Sequence, residues 1–187
     1  KKKKKLIETG GPIPVSTYMQ LALHDSAQGY YATRPGLGTD FITAPEVSQV
    51  FGELIGLWVV NEWRAMGAPD SFHLVEIGPG RGTLMADALR LAYVAGGREF
   101  ADAAKLTLVE PSPELRKVQA ERLSDYTPSF ADTLGNVPAG PMILVANEYL
   151  DCLPARQFRK ADGQWRECVV GLDADGALAF GLAADEP

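Results

Sequence analysis

At 187 residues with 46% apolar composition, the chain has material for one sizeable core and hardly enough for two, because domains usually run to roughly 100–200 residues. No apolar run approaches the about 20 residues that a membrane-crossing helix needs, and no charged-then-apolar leader opens the chain, so a soluble protein with no membrane insertion is expected. The formal charge of -6 includes five positive charges from Lys1 to Lys5, which leaves -11 on the rest; an acidic body argues against nucleic acid as a partner and favours a cationic one.

In chain order, the leading lysines read as a solvated tail. Ser16 to Leu23 fits a short helix, Ser26 to Gly29 a turn, and Arg34 to Asp40 a loop rich in proline and glycine. Thr43-Ala44-Pro45-Glu46 has the T-x-x-E spacing of a capping box. Val47, Val50, Phe51, Leu54, Leu57 and Trp58 follow at helical spacing, so one long helix is expected from here to Gly67. Phe72 to Ile77 is a short apolar run, Thr83 to Val94 an amphipathic helix and Lys105 to Val109 a second buried run. Ser112-Pro113-Glu114 opens another helix, a short strand precedes Asp132, and Pro141 to Ala146 is a third apolar run. Trp165 to Leu172 and Ala177 to Phe180 read as a hairpin closed at Asp175-Gly176.

Apolar runs alternating with amphipathic helices predict an α/β fold, a parallel sheet covered on both faces. Residues 1–68 read as an N-terminal helical prelude packing over the site of residues 69–187, all within a single structural unit. Cys152 and Cys168 form no C-x-x-C pair and only His24 and His73 are at hand, so neither a disulfide framework nor a metal site is expected. His24, at a helix end, reads as a surface cap.

Glu76-Ile77-Gly78-Pro79-Gly80-Arg81-Gly82-Thr83 stands where the first sheet strand hands over to a helix. Gly78, Gly80 and Gly82 make a turn whose backbone a ligand can approach at the carboxyl edge of the sheet. A dinucleotide site usually wants another glycine where Thr83 stands. Glu76 would repel a pyrophosphate yet could accept hydrogen bonds from a cationic, amino-acid-bearing cofactor, which favours S-adenosylmethionine over NAD. Glu110, ending the next strand, is a candidate for both ribose hydroxyls. Asp132 is either a contact for the adenine amino group or a turn cap.

Thr39 to Glu46, Ser48 to Glu53, Glu76 to Leu84 and Ala146 to Pro154 resemble, in this order, successive motifs of the MidA family of class I S-adenosylmethionine-dependent methyltransferases. The resemblance runs from about Gly11 to the last residue. It implies a Rossmann-like fold and, as in the family's mitochondrial member, symmetric dimethylation of an arginine on a core subunit of respiratory complex I. It also implies that Asp40 and Glu46 fold over the cofactor, and action in the bacterial cytoplasm or, in a eukaryote, the mitochondrial matrix. Family members usually extend through a long C-terminal half, so the C-terminal part of the family fold is expected to be missing here.

A guanidinium stays charged at neutral pH and needs carboxylates to orient it. Glu148 and Asp151, with Asn147 as an orienting hydrogen-bonder, are the candidate catalytic residues after the third apolar run. Asn147-Glu148-Tyr149-Leu150 lacks the prolines of the N-P-P-Y sequences of adenine-N6 and glutamine-N methyltransferases, which disfavours a neutral acceptor. A small-molecule methyltransferase and a non-catalytic assembly chaperone that binds the cofactor are the competing readings.

Overall fold

Phe72 to Ile77 is bounded by Asp70-Ser71 and the glycine turn, and five of its six residues are buried, as befits a strand with sheet on either side of it. The computed structural model describes residues 2–33 and 43–184. Its elements in chain order are α1 (Lys2–Gly10), β1 (Ile13–Pro14), α2 (Val15–Leu23), α3 (Tyr30–Thr33), α4 (Ala44–Val47), α5 (Gln49–Ala65), β2 (Phe72–Ile77), α6 (Thr83–Ala103), β3 (Ala104–Val109), α7 (Pro113–Arg122), β4 (Ser129–Ala131), β5 (Met142–Val145), β6 (Phe158–Ala161), β7 (Gln164–Leu172) and β8 (Leu178–Leu182). They divide into two units, one formed by the described residues up to 33 together with 151–184, the other by 43–150.

The second unit is the expected α/β element. Its strands are parallel in the order β4-β3-β2-β5. Alternate strand residues feed two clusters: Phe72, Leu74, Leu106, Leu108, Ile143 and Val145 join the large core with α5 and α6, while Val75, Ile77, Val109 and Ala131 join the smaller one. Trp63 and Phe72 both stack against Phe100 at 5.4 and 5.5 Å between ring centroids. The two helices approach closely because Gly56 has no side chain: a Cβ there would lie 2.1 Å from the Ala88 carbonyl oxygen.

The long helix expected from Thr43 is interrupted. Ser48 is extended (φ -148°, ψ 121°), separating α4 from α5, and Thr43 makes no side-chain cap. The T-x-x-E pattern is therefore not a capping box; Glu46 has a tertiary partner instead, described below. A true side-chain cap stands at Ser112, whose hydroxyl accepts from the Leu115 N–H. Helix α6 runs past the expected end near Val94, bending at Gly97 (φ 68°).

In the other unit the order is β1-β7-β6, with β8 paired to β7, and all neighbours are antiparallel. The predicted hairpin closes with Leu172 opposite Leu178, and the Asp173 carboxylate accepts from the Asp175 and Ala177 N–H groups. Lys2 to Lys5 do not form a tail. They belong to α1, anchored by buried Ile7 in a cluster with Val15 and Val170. His24 is the C-cap of α2, as expected, and its Nε2 lies 2.9 Å from the Cys152 carbonyl oxygen. Burial, reinforced by Cys152, pushes the Tyr31 hydroxyl up to about 12.

Candidate functional site

Parallel register decides which residues meet at the carboxyl edge of the four-stranded sheet. Ile77 pairs with Val109 and Val109 with Ala131, so Gly78, Glu110 and Asp132 each follow directly on a paired residue. Glu76 pairs with Val145, which carries Ala146-Asn147-Glu148 to the same edge. Residues 70 positions apart in the chain thus become neighbours through hydrogen-bond register alone.

Gly78, Gly80 and Gly82 have φ of 67°, 55° and 75°, so every second residue of the turn stands in the left-handed region that side chains disfavour. Gly78 has a further reason to be glycine: a Cβ there would meet the Tyr149 ring at 2.7 Å. The Gly78 N–H donates to the Val109 carbonyl at 3.3 Å, tying the turn to β3.

Glu76 is 3% exposed, and its Oε2 is buried with no hydrogen-bond partner. Loss of hydration pushes its carboxyl up to about 8. A buried carboxyl with an open lone pair is costly unless a ligand completes it, and a cation would restore its ionised form.

Glu110 is also buried, at 6% exposed, but it is held from several directions. Its Oε1 accepts from the Ser112 N–H at 2.8 Å and its Oε2 from Gln119 Nε2 at 3.3 Å. Burial raises its affinity for the proton; the Ser112 and Gln119 donors and the nearby Arg116 charge oppose that rise. A carboxylate has about four acceptor positions, so two remain for a ligand bearing adjacent hydroxyls. Asp132 is exposed and pairs with Arg116 at 2.6 Å, while Arg116 Nε donates to the Glu110 main-chain carbonyl at 2.5 Å.

Glu46 is drawn to the same end of the sheet. The Thr83 hydroxyl, at the start of α6, donates to Glu46 Oε1 at 2.7 Å, and Arg122 Nη1 donates to the Thr83 oxygen. Asn147 is half-buried and Glu148 exposed, the latter at φ 49°. Asp151 falls within the other unit, and Asp40 lies outside the described residues. Among the described residues no group of three or more His, Cys, Asp or Glu could hold a metal ion, and no helix is long and apolar enough to cross a membrane.

Gln119, Arg116, Thr83 and Tyr149 were not legible as site residues. Gln119 looks like one more polar residue of a charged helix, yet it is fully buried, and its Nε2 also donates to the Gly80 carbonyl at 2.7 Å.

This arrangement offers a buried carboxyl beside a backbone turn, and a second carboxylate with acceptors to spare one strand away. It fits a ligand with a cationic end and a ribose. The residues present therefore suit S-adenosylmethionine.

Comparison with known proteins agrees. Residues 54–187 match a family model described as "Putative S-adenosyl-L-methionine-dependent methyltransferase". The chain is 40% identical over 199 residues to the Drosophila melanogaster protein arginine methyltransferase NDUFAF7 homolog, mitochondrial, covering 92% of this chain and 44% of the relative. It is 39% identical over 203 residues to the Homo sapiens protein arginine methyltransferase NDUFAF7, mitochondrial, covering 95% and 46%. A crystal structure of a Burkholderia thailandensis protein bound to S-adenosyl-homocysteine superposes with a TM-score of 0.71 at 30% identity, over 96% of this chain and 47% of that one. The chain spans less than half the length of these relatives, and its fold is the Rossmann-like methyltransferase fold.

Proposed function

The chain belongs to this S-adenosyl-L-methionine-dependent methyltransferase family, the one its motifs resemble, and from that premise we propose that it is the cofactor-binding portion of a protein-arginine N-methyltransferase. The observation that carries the reading is the buried Glu76 oxygen with no partner, beside three left-handed glycines. Glu76 holds the cofactor's ammonium group, the Gly78–Gly82 turn lies against its amino-acid chain, and Glu110 takes the two ribose hydroxyls. Asp132, oriented by Arg116, faces the adenine; Glu46 closes over the site.

When bound, S-adenosylmethionine supplies a methyl group made electrophilic by its sulfonium. The protein's task is then to position the acceptor and exclude water. Glu148, with Asn147, cradles the guanidinium and draws its positive charge toward the nitrogen that does not react. The relatives' names support a protein substrate, and a subunit of respiratory complex I is the substrate we propose. The corresponding place of action is the mitochondrial matrix for a eukaryotic source and the cytoplasm for a bacterial one.

Two measurements test this. Isothermal titration calorimetry with S-adenosylhomocysteine is expected to show one site per chain; no heat at saturating ligand would remove the cofactor reading. Tritiated cofactor incubated with protein and a proteome is expected to label protein, with methylarginine recovered on hydrolysis. Label confined to small metabolites would overturn the arginine assignment while leaving the cofactor reading intact.

A further inference from the structure

We propose that Gln119 is a positioning residue that locks the Glu110 carboxylate to the glycine turn, so that the ribose-binding group and the turn are aligned before ligand arrives. The proposal rests on the cofactor reading above and deepens it. Gln119 sits on α7, outside every motif singled out in the sequence, yet it is fully buried and reaches both parts of the site. Its Nε2 donates to the Gly80 carbonyl at 2.7 Å and to Glu110 Oε2 at 3.3 Å. Its methylene stem also lies under the turn: a Cβ at Gly82 would be 3.6 Å from Gln119 Cγ.

The arrangement is costly for stability alone. Gln119 Oε1 is buried with no partner, and an unpaired buried carbonyl incurs a desolvation penalty that an apolar side chain of similar shape would avoid. What the amide offers in return is two N–H donors on one nitrogen, one for each of two segments 30 residues apart. Neither a methionine nor a leucine can supply that. The remaining Glu110 oxygen is fixed by the Ser112 N–H, so Gln119 completes the orientation of the carboxylate plane. A carboxylate held at both oxygens presents its free lone pairs in one fixed direction, which is what bidentate recognition of a vicinal diol requires.

The test uses Gln119→Met, which keeps the unbranched shape and removes the amide. Two probes are titrated against the wild-type chain and the variant: S-adenosylhomocysteine and its 2′,3′-dideoxyribose analogue. Loss of a hydrogen bond that orients a charged group predicts about tenfold weaker binding of S-adenosylhomocysteine, with the dideoxy analogue changed by less than about twofold. Equal weakening of both probes, or of neither, overturns the proposal. In the ligand-free protein, carbon-13 NMR of the Glu110 carboxyl gives a second readout. Removing the Gln119 donor is expected to raise its titration midpoint, since that donor favours the ionised form, and an unmoved midpoint sinks the proposal. Failure of the wild-type chain to bind either probe would count against the cofactor reading, and the Glu110 titration would still judge Gln119 by itself. Thermal melting guards against a folding artefact: because the Gly80 carbonyl and Glu110 Oε2 each lose a donor, a modest drop in Tm is expected, and a variant already unfolded at the titration temperature would mark Gln119 as a structural residue and overturn the proposal.

Discussion

Thr83 and Glu46, 37 residues apart, meet through a 2.7 Å hydrogen bond from the threonine hydroxyl to the glutamate carboxylate. Thr83 stands where a dinucleotide site would want glycine, and its side chain is what gives α4 a partner on the sheet unit. Local sequence pairs Glu46 with Thr43 instead, and the two pairings make opposite predictions. Thr83→Val should lower stability by about 0.5–1 kcal/mol, the scale of one exposed hydrogen bond to a charged group after solvent screening. Thr43→Ala should cost less than about 0.5 kcal/mol, because no cap is lost. Urea denaturation of the two variants decides, and the reverse ranking would restore the capping box.

Glu76 should make stability fall as pH rises. Its carboxyl releases its proton near 4.5 when unfolded and near about 8 when folded. Between those values the folded chain holds a proton that the unfolded chain has lost, so stability drops by about 1.4 kcal/mol per pH unit across the window. Below pH 4.5 both states are protonated, and above 8 neither is, so the cost is constant. Glu76→Gln removes the dependence: its stability should match wild type at pH 4 and exceed it by a growing margin from pH 5 to 8. Parallel curves for the two proteins would contradict the assignment.

The same carboxyl should couple binding to proton release. A cationic ligand beside Glu76 favours the ionised form, so calorimetry of S-adenosylhomocysteine at pH 7 should yield a heat that varies with the ionisation enthalpy of the buffer, reporting nearly one proton released. In Glu76→Gln that variation should vanish and affinity should fall by about tenfold or more. A buffer-independent heat in the wild type would place the ammonium elsewhere.

Glu148 occupies the left-handed region at φ 49°, where a side chain costs about 1 kcal/mol relative to glycine. Glu148→Gly should therefore stabilise the fold by about that amount. If the carboxylate cradles the acceptor, the variant should still bind S-adenosylhomocysteine within about twofold of wild type while losing methyl transfer. A variant that keeps its turnover would remove Glu148 from the acceptor site.

Gly56→Ala tests the contact between α5 and α6. The new methyl would fall 2.1 Å from a main-chain oxygen that cannot rotate away, so the helices must separate. A loss of about 2–3 kcal/mol is expected, the scale of an overpacked core; a neutral result would show that these helices are not in contact.

Local chemistry sufficed for much of this. The alternation of apolar runs and amphipathic helices, the serine-proline start of α7 and the Asp175-Gly176 hairpin are set by residues close in the chain, and each stands where its sequence indicates. Glu76, the glycines and Glu110 could be found because each adjoins a strand end, and strand ends are marked by short-range changes in pattern. Where local and tertiary demands compete, the local pattern misleads: Glu46 satisfies a capping motif on paper and a distant threonine in space, and Ile7 draws the lysine-rich start into a helix.

The amino-acid sequence by itself determined the fold class and the identity of the groups at the sheet's carboxyl edge, because strand and helix periods and turn chemistry act over a few residues. The tertiary structure alone decided how those groups are held. The order β4-β3-β2-β5 sets which strand ends adjoin, and burial leaves Glu76 without a partner while giving Glu110 several. Gln119 passes for a surface residue of a charged helix until the fold closes over it, since desolvation and hydrogen-bond completion depend on everything that surrounds a side chain and not on its neighbours in the chain.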